Sequence, residues 1–336
     1  MSTRKYLPIV YLILILVSLI LTGCGGGAQS GVSPDSAKAA PGALKVAILL
    51  PGAVDDKGWS QAGYEGLKLV EKDLGAQVAD TASVPEADIE KVFRQYAEEG
   101  YDFVIGHGSE FIPAAEIVAK EFPQTKFAVV SGYAGNNENL GGIGFRAEEI
   151  GYLSGVVAGL KTKTNKIVFI GGVDYPDLLA NAAAFEQGAK AVNPKVEVST
   201  EWVGSWTDAD KAREIALAQI ASGTDVLLAN ADTAGLAAIE EAEKAGVYAL
   251  GWAVDQHTLA PNTILTSAIQ RTPVLFLEAA TLVQQGRWEG KQYRFGLQEG
   301  AQDLAPFYGL LTPEEETKVK ALREDILTGK IDFTPE

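Results

Sequence analysis

The chain is poor in the residues that carry most enzymatic and metal chemistry. Its 336 residues include one cysteine, Cys24, one methionine and two histidines, His107 and His257. A single cysteine excludes an internal disulfide, and so few cysteines and histidines argue against a zinc site or a Cys/His catalytic pair. No GxGxxG follows the first apolar run of the folded part, and no GxxxxGK[ST] occurs. We therefore expect no cofactor, no bound metal and no catalytic residues.

Positive charge is scarce as well. The chain has 44 acidic and 28 basic residues, a net charge of −16. Two of the basic residues, Arg4 and Lys5, precede residue 24, and removing them takes the remainder from −16 to −18. A strongly acidic chain is a poor partner for nucleic acid or an anionic lipid surface. We expect it to bind neither by charge.

The N-terminus has the pattern of an export signal. Arg4 and Lys5 are followed by an apolar run over 6–21 and by small residues before Cys24. This order predicts a signal peptide over 1–23 rather than mature structure. The sequence Leu-Thr-Gly-Cys at 21–24 is similar to the bacterial lipobox, so we expect Cys24 to be lipidated. An uncleaved membrane anchor is the alternative.

Residues 24–43 contain little that could build a core. They are rich in Gly, Ser, Pro and Ala, a composition typical of a flexible linker. We interpret them as the lipid anchor and its tether, because several acyl chains hold a protein firmly on a membrane. The rest of the chain is then a cell-membrane lipoprotein facing the periplasm or the outer surface.

Short apolar runs alternate with amphipathic segments from Leu44 onward. Runs that are apolar at nearly every position are typical of strands buried on both faces of a parallel sheet, and their alternation with helices predicts βαβ units. The remaining stretch of about 290 residues predicts two domains. The runs lie at 46–50, 103–105, 127–130, 167–170, 226–228, 248–252 and 264–269.

Ligands of open parallel sheets collect at the carboxyl ends of the strands. Trp59, Trp206 and Trp252 fall at predicted strand-to-helix connections, in GWSQ, GSWTD and GWAVD. Aromatic faces pack well against planar ligands. Core packing remains an alternative for each of them. The strand-end rule itself points to the loops at 51–58, 106–111, 131–135, 171–176, 229–233 and 253–256.

Three polar residues of these loops allow two interpretations. Asp55 and Asp56 precede a predicted helix, whose free N–H groups a carboxylate can cap. Capping and ligand binding are therefore both open for this pair. His107 follows a strand, and we interpret it as a loop histidine with its hydrogen bonds satisfied rather than as a cleft residue.

An ordered series of motifs covers nearly the whole mature chain. It comprises GAVDDKGWSQAGYEG (52–66), EEIGYLSGVVAGLKTKT (148–164), IVFIGGVD (167–174), FEQGAKAVNP (185–194), VGSWTDADKAREIA (203–216), ASGTDVLLANADTAG (221–235) and DQHTLAPNTILTSAI (255–269). The series resembles the basic membrane protein (BMP) family of solute-binding lipoproteins, its PnrA-like group. The resemblance implies a monomer that binds purine nucleosides or related compounds and delivers them to the permease of an ABC transporter.

The resemblance also implies the α/β fold of type I periplasmic binding proteins. In that fold two Rossmann-like lobes are joined by three crossing strands and close on the ligand about a hinge. We expect the N-terminal lobe to comprise 44–146 plus 255–288, and the C-terminal lobe 147–254 plus 289–336.

Some family positions are kept in this chain and others are changed. Asp55 and Asp56 match the family's acidic pair, and Trp59 replaces a base-stacking phenylalanine. The family's two ribose-holding residues, one acidic and one lysine, correspond to Ala253 and Gln270. Because both charged contacts are lost, we expect a nucleobase to bind more tightly than its nucleoside.

The second strand-end loop departs from the family as well. Pro113 stands where the family commonly has an acidic residue, with Glu110 as a substitute three residues earlier. The full set of expected ligand contacts is Asp55, Asp56, Trp59, Ser109, Glu110, Gly172, Trp206, Asp232, Trp252, Asp255 and Gln270. A sugar or flavin as ligand, a sensory lipoprotein and an extracellular hydrolase are the alternatives.

Overall fold

The computed structural model of the chain describes residues 42–56, 58–331 and 333. The expected signal peptide, Cys24 and nearly all of the tether lie outside these residues. Within them, strands and helices alternate through most of the sequence. The strands are β1 (Lys45–Leu49), β2 (Gln77–Thr81), β3 (Phe103–Gly106), β4 (Lys126–Val130), β5 (Leu140–Phe145), β6 (Lys166–Gly171), β7 (Glu197–Trp202), β8 (Val226–Asn230), β9 (Tyr248–Ala253), β10 (Ile264–Gln270), β11 (Gln292–Phe295) and β12 (Gln302–Leu304). The helices are α1 (Trp59–Leu74), α2 (Ile89–Glu98), α3 (Ile112–Glu121), α4 (Ala147–Lys161), α5 (Pro176–Val192), α6 (Ala209–Ala221), α7 (Asp232–Ala245), α8 (Thr272–Gln284) and α9 (Pro313–Leu327).

The strands form two sheets with the same internal order. The first sheet runs β11-β5-β4-β3-β1-β2, and all of its strand pairs are parallel. The second sheet runs β12-β10-β9-β8-β6-β7 and is parallel except for β12, which pairs antiparallel with β10. The order β2-β1-β3-β4-β5 in the first sheet therefore recurs as β7-β6-β8-β9-β10 in the second.

The central strands are buried on both faces, as the apolar runs predict. All four residues of β3 and all five of β8 are buried. Each sheet carries a separate apolar cluster on either side, formed with the helices that cover it. Helices on both faces of a mostly parallel sheet are the α/β doubly wound arrangement.

The chain passes between the two sheets three times. It crosses from β5 to α4, from β10 to α8, and from β11 to β12. Two α/β lobes joined by three crossovers form the type I periplasmic-binding-protein fold, so the expected fold is confirmed.

The expected lobe boundaries differ from the strand pairing near the C-terminus. We expected 255–288 in the first lobe, but β10 pairs with β9 and so belongs to the second sheet. We expected 289–336 in the second lobe, but β11 pairs with β5 in the first sheet. The first lobe therefore contains α8 and β11, and the second contains β10, β12 and α9.

The carboxyl ends of the two sheets face each other. Each crossover leaves the carboxyl end of a strand in one sheet and enters an element that starts at the carboxyl edge of the other. Direct contacts agree with this arrangement, because Arg294 of β11 lies 2.8 Å from Glu148 of α4. The strand-end loops of both lobes therefore lie on the facing edges of the two sheets, and we call the space between these edges the cleft.

Candidate functional site

The loop after β1 is organised by Asp56. Its carboxylate accepts hydrogen bonds from the backbone N–H groups of Gly58 (2.8 Å), Ser60 (3.0 Å) and Gln61 (3.0 Å) at the start of α1. Desolvation raises the pKa of this carboxyl, but the hydrogen bonds from Gln61, Gly58 and Ser60 outweigh it and lower the pKa. Asp56 thus has the capping role, while Asp55 beside it is exposed.

Trp59, the first residue of α1, lies flat against His107 at the end of β3. The two rings are nearly parallel, with centroids 3.9 Å apart and an interplanar angle of 11°. The indole Nε1–H donates to the carbonyl oxygen of His107 (2.9 Å), and Nε2 of His107 bonds to the carbonyl oxygen of Trp59 (2.7 Å). The imidazole covers one face of the indole, yet Trp59 remains 45% exposed. The structure therefore presents an aromatic surface at the carboxyl edge of the first sheet.

His107 is completely buried. Within the part of the chain that the structure describes, only one of its two ring nitrogens has a hydrogen-bond partner, contrary to its interpretation as a loop histidine with its hydrogen bonds satisfied. A carbonyl oxygen can only accept, so Nε2 carries the proton that bonds to Trp59. Nδ1 is then a buried acceptor, and it has no hydrogen-bond partner among the described residues. Burial lowers the pKa of His107 to about 4, against weaker opposing effects of the bond to Trp59 and of Asp56. The ring is neutral at physiological pH.

The second strand-end loop of the first lobe places Ser109 and Glu110 on the surface. Both residues belong to a short 3₁₀ turn, Ser109–Phe111, and both are exposed. Glu110 also borders a surface hollow of about 260 Å³ that Glu86 and Ile117 line with it. This hollow lies beside α2 and α3, on the first lobe alone.

On the second lobe, Gly172 and Trp206 are in direct contact. The Trp206 ring packs over Gly172 so closely that a Cβ at this position would overlap its six-membered ring. Gly204 N–H donates to the carbonyl oxygen of Gly172 (2.8 Å), which fixes the loop that carries Trp206. Tyr175 flanks the same indole, with ring centroids 6.3 Å apart.

Asp232 lies beside this pair. Gly172 N–H donates to the carbonyl oxygen of Asn230 (2.8 Å), and Ala234 N–H to that of Trp206 (3.0 Å). Asp232, between Asn230 and Ala234, is exposed and has a φ of 47°. A positive φ is uncommon outside glycine and occurs mainly in turns and at functional positions. The structure thus brings Gly172, Trp206 and Asp232 together at one edge.

Trp252, Asp255 and Gln270 have partners within the second lobe. Trp252 is half-buried and packs against the apolar cluster between the sheet and α4 and α5. The Asp255 carboxylate accepts hydrogen bonds from the His257 N–H (3.0 Å) and from the Tyr308 hydroxyl. Gln270, at the end of β10, is half-buried and pairs with Gln302 of β12 in the sheet. None of these contacts joins the three residues to Trp206 or to Trp59.

Charged residues link the first crossover, from β5 to α4, with the third, from β11 to β12. Arg146 lies 3.0 Å from Glu299, and Leu297 N–H donates to Glu149 (2.7 Å). Burial raises the pKa of Glu149, while its bond to Leu297 and the nearby Arg146 act in the opposite direction. These contacts connect Arg146 and the first turn of α4 with the third crossover.

In the described part of the chain, no three His, Cys, Asp or Glu side chains are grouped so that they could hold a metal ion. None of the helices in this part combines the length and the apolar character of a membrane span. A second surface hollow, of about 430 Å³, lies beside Asp102, Lys126 and Trp288, away from the strand-end loops.

The chain is similar to known proteins over both lobes. A family model described as "ABC transporter substrate-binding protein PnrA-like" (Bmp) matches residues 43–331. A purine-binding protein of Brucella abortus is 30% identical, covering 86% of this chain and 84% of its own length. A putative ABC transporter glucose-binding protein of Haloferax volcanii is 29% identical, covering 83% of this chain and 71% of its own length. The crystal structure of a transcriptional activator of the comK gene from Bacillus halodurans aligns with a TM-score of 0.74 at 26% identity, covering 84% of this chain and 96% of that one.

Proposed function

Because the chain belongs to the Bmp family of PnrA-like ABC transporter substrate-binding proteins, we propose that it binds a purine-type solute, a nucleobase or nucleoside, between its two lobes. The lobes close about the three crossovers, as hinged binding proteins do. The closed complex then delivers the solute to the permease of an ABC transporter. The protein works as a monomer, held at the outer face of the membrane by lipid on Cys24.

The observation that best supports a purine-type ligand is the exposed face of Trp59. A purine is a flat aromatic ring, and stacking on an aromatic side chain contributes roughly 1–3 kcal/mol per base. His107 already covers the opposite face of the indole, so a ligand has one face of Trp59 to stack on. Trp206 and Asp232 supply an aromatic ring and a carboxylate from the second lobe.

A sugar is the second candidate, and one relative favours it. The Haloferax protein is named a putative glucose-binding protein, whereas the Brucella protein is named a purine-binding protein. An exposed tryptophan and several carboxylates suit a sugar ring as well as a purine. The two ligands differ in what they present to the indole. A purine presents a flat aromatic ring, whereas a sugar presents C–H groups and hydroxyls.

Calorimetric titration of the purified protein distinguishes these ligands. Adenine, hypoxanthine, adenosine, inosine, glucose and riboflavin should each be tested with the same preparation. We expect a purine to bind, and Trp59→Ala to weaken it roughly tenfold or more. Trp59→Phe keeps a ring and should cost much less. Trp202→Phe is the control, since Trp202 packs against the core of the second lobe. Tight binding of glucose with no binding of any purine contradicts the proposal.

A further inference from the structure

The orientation of Trp59 depends on a residue 48 positions away. Trp59 begins a helix at the edge of the first lobe and is 45% exposed. An exposed aromatic side chain ordinarily exchanges between rotamers on the nanosecond timescale. Here the indole Nε1–H donates to the backbone carbonyl of His107, and the imidazole stacks on the indole. The imidazole Nε2 donates to the backbone carbonyl of Trp59 and so fixes the residue that carries the indole.

Residues of α1 and α8 pack against the imidazole of His107. Gly63 of α1 lies against the ring, and a Cβ there would stand 2.6 Å from its Cδ2. Phe276 of α8 borders it with ring centroids 5.4 Å apart. Among the described residues, the charged group that acts on His107 is Asp56, in the loop before α1. A buried polar ring with one unpartnered nitrogen costs free energy, so packing alone does not account for a histidine here.

We propose that His107 is the positioning residue of the ligand site, which holds the Trp59 indole with one face presented to the cleft. His107 lies behind the indole and acts through it. This inference rests on the proposed function, because it takes Trp59 as the surface on which the ligand stacks. Loss of the imidazole removes the stacked ring and the bond to the Trp59 backbone, while the bond from the indole to the backbone carbonyl of residue 107 stays. The indole then becomes more mobile, and ligand affinity falls.

Two substitutions separate the contributions of His107. His107→Gln keeps an N–H donor that reaches the Trp59 carbonyl and removes the stacked ring. His107→Phe keeps a ring beneath the indole and removes that donor. The matched control is His257→Gln, because His257 is also a stacked histidine, with its ring 3.6 Å from that of Tyr308 in the second lobe.

The first measurement needs no ligand. The fluorescence emission of Trp59 is obtained by subtraction. The emission of the same protein carrying Trp59→Phe is subtracted from the emission of each protein. In His107→Gln and His107→Phe we expect lower anisotropy and stronger acrylamide quenching of that emission, whereas His257→Gln leaves both unchanged. Unchanged anisotropy and quenching in both His107 variants overturn the proposal, whatever the ligand proves to be.

The second measurement is a double-mutant cycle with adenine as the probe. We expect His107→Gln to weaken adenine binding about tenfold in the wild-type background and less than about threefold in the Trp59→Phe background. Equal losses in the two backgrounds assign His107 a general structural role and overturn the proposal. If the wild-type protein binds no purine, the proposed function fails, and the emission of Trp59 still decides whether His107 positions the indole.

Discussion

Arg294 of β11 and Glu148 of α4 form an ion pair across the two lobes, with 2.8 Å between Nη1 and Oε1. Arg294 is 40% exposed and Glu148 is 12% exposed. Because partly exposed pairs are screened by salt, this contact links the lobes most strongly at low ionic strength. Asp177 of α5 lies nearby, where burial raises its pKa and Arg294 lowers it.

We therefore expect Arg294→Gln to lower the free energy of unfolding by about 0.5–1 kcal/mol in low salt. The loss should shrink in 1 M salt, since screening already removes most of the attraction. Urea denaturation at both salt concentrations measures it. Lys291→Gln is the control, because Lys291 pairs with Glu289 two residues away on an exposed loop. A loss that is equal in low and high salt contradicts the ion-pair explanation.

His107 should make stability depend on pH. Its pKa is about 4 in the folded protein and about 6.5 in the unfolded chain. The unfolded state therefore binds more protons between these values, so stability falls as the pH drops from about 7 towards 4. The largest loss is on the order of 3 kcal/mol.

Urea denaturation between pH 4 and pH 8 tests this expectation. Carboxylates titrate over part of the same range in every variant, so the informative quantity is the difference between wild type and His107→Gln. That difference should change steadily between pH 6.5 and pH 4. Parallel stability profiles for the two proteins would falsify the assignment of a depressed pKa to His107.

Gly172→Ala should disturb Trp206. The new Cβ overlaps the indole ring, and forcing extra volume into such a contact costs about 1–3 kcal/mol. Thermal unfolding measures the loss, and tryptophan emission reports the displaced ring. Gly144→Ala is the control, because its Cβ would meet the nearest atom, the carbonyl oxygen of Ser131, at 3.7 Å. Equal stability of the two variants means that the second lobe accommodates the methyl group.

A free base should bind more tightly than its nucleoside. Ala253 offers no charged acceptor and Gln270 no charged donor for a ribose. Hydrogen bonds to charged groups contribute roughly 1.5–3 kcal/mol each, so missing two costs a nucleoside on the order of a hundredfold in affinity. Titration of adenine against adenosine, and of hypoxanthine against inosine, checks it. The idea fails if either nucleoside binds more tightly than its base.

Cys24→Ser should release the protein from the membrane. Several acyl chains hold a protein firmly on a bilayer, whereas residues 25–43 contain no apolar run that could do so. Fractionation of cells that express the wild type and the variant gives the answer. A variant that stays in the membrane fraction identifies the apolar run at 6–21 as an uncleaved anchor.

The sequence predicts the central strands well and the edge strands poorly. Each of the seven apolar runs that we expected to be a strand is one, namely β1, β3, β4, β6, β8, β9 and β10. The edge strands β2 and β7 have half-exposed faces and no continuous apolar run. β5 is interrupted by glycines, and β11 is mostly polar or aromatic. The sequence of a strand also does not show which sheet it joins. For that reason β10 and the segment around β11 were expected in the wrong lobes.

The candidate site was predictable in its loops and not in its contacts. The strand-end rule places Trp59, Gly172, Trp206 and Asp232 at the carboxyl edges, where the structure has them. The stack of His107 on Trp59 joins two distant loops, and no local pattern signals it. By sequence, Asp56 could be a helix cap or a ligand contact. Its carboxylate accepts three backbone hydrogen bonds at the start of α1, so it acts as the helix cap.

The division of each lobe between separate stretches of chain also governs when each lobe can fold. The first sheet receives β11 only after β6 to β10 of the second sheet have been made, and α8, which packs beside α1, is made just before it. During synthesis the edge of β5 and one side of α1 therefore stay uncovered until about residue 295 has left the ribosome. Long-range pairing of this kind folds slowly because distant segments must meet first. The order of the segments along the chain therefore delays completion of the first lobe until most of the second lobe has been made.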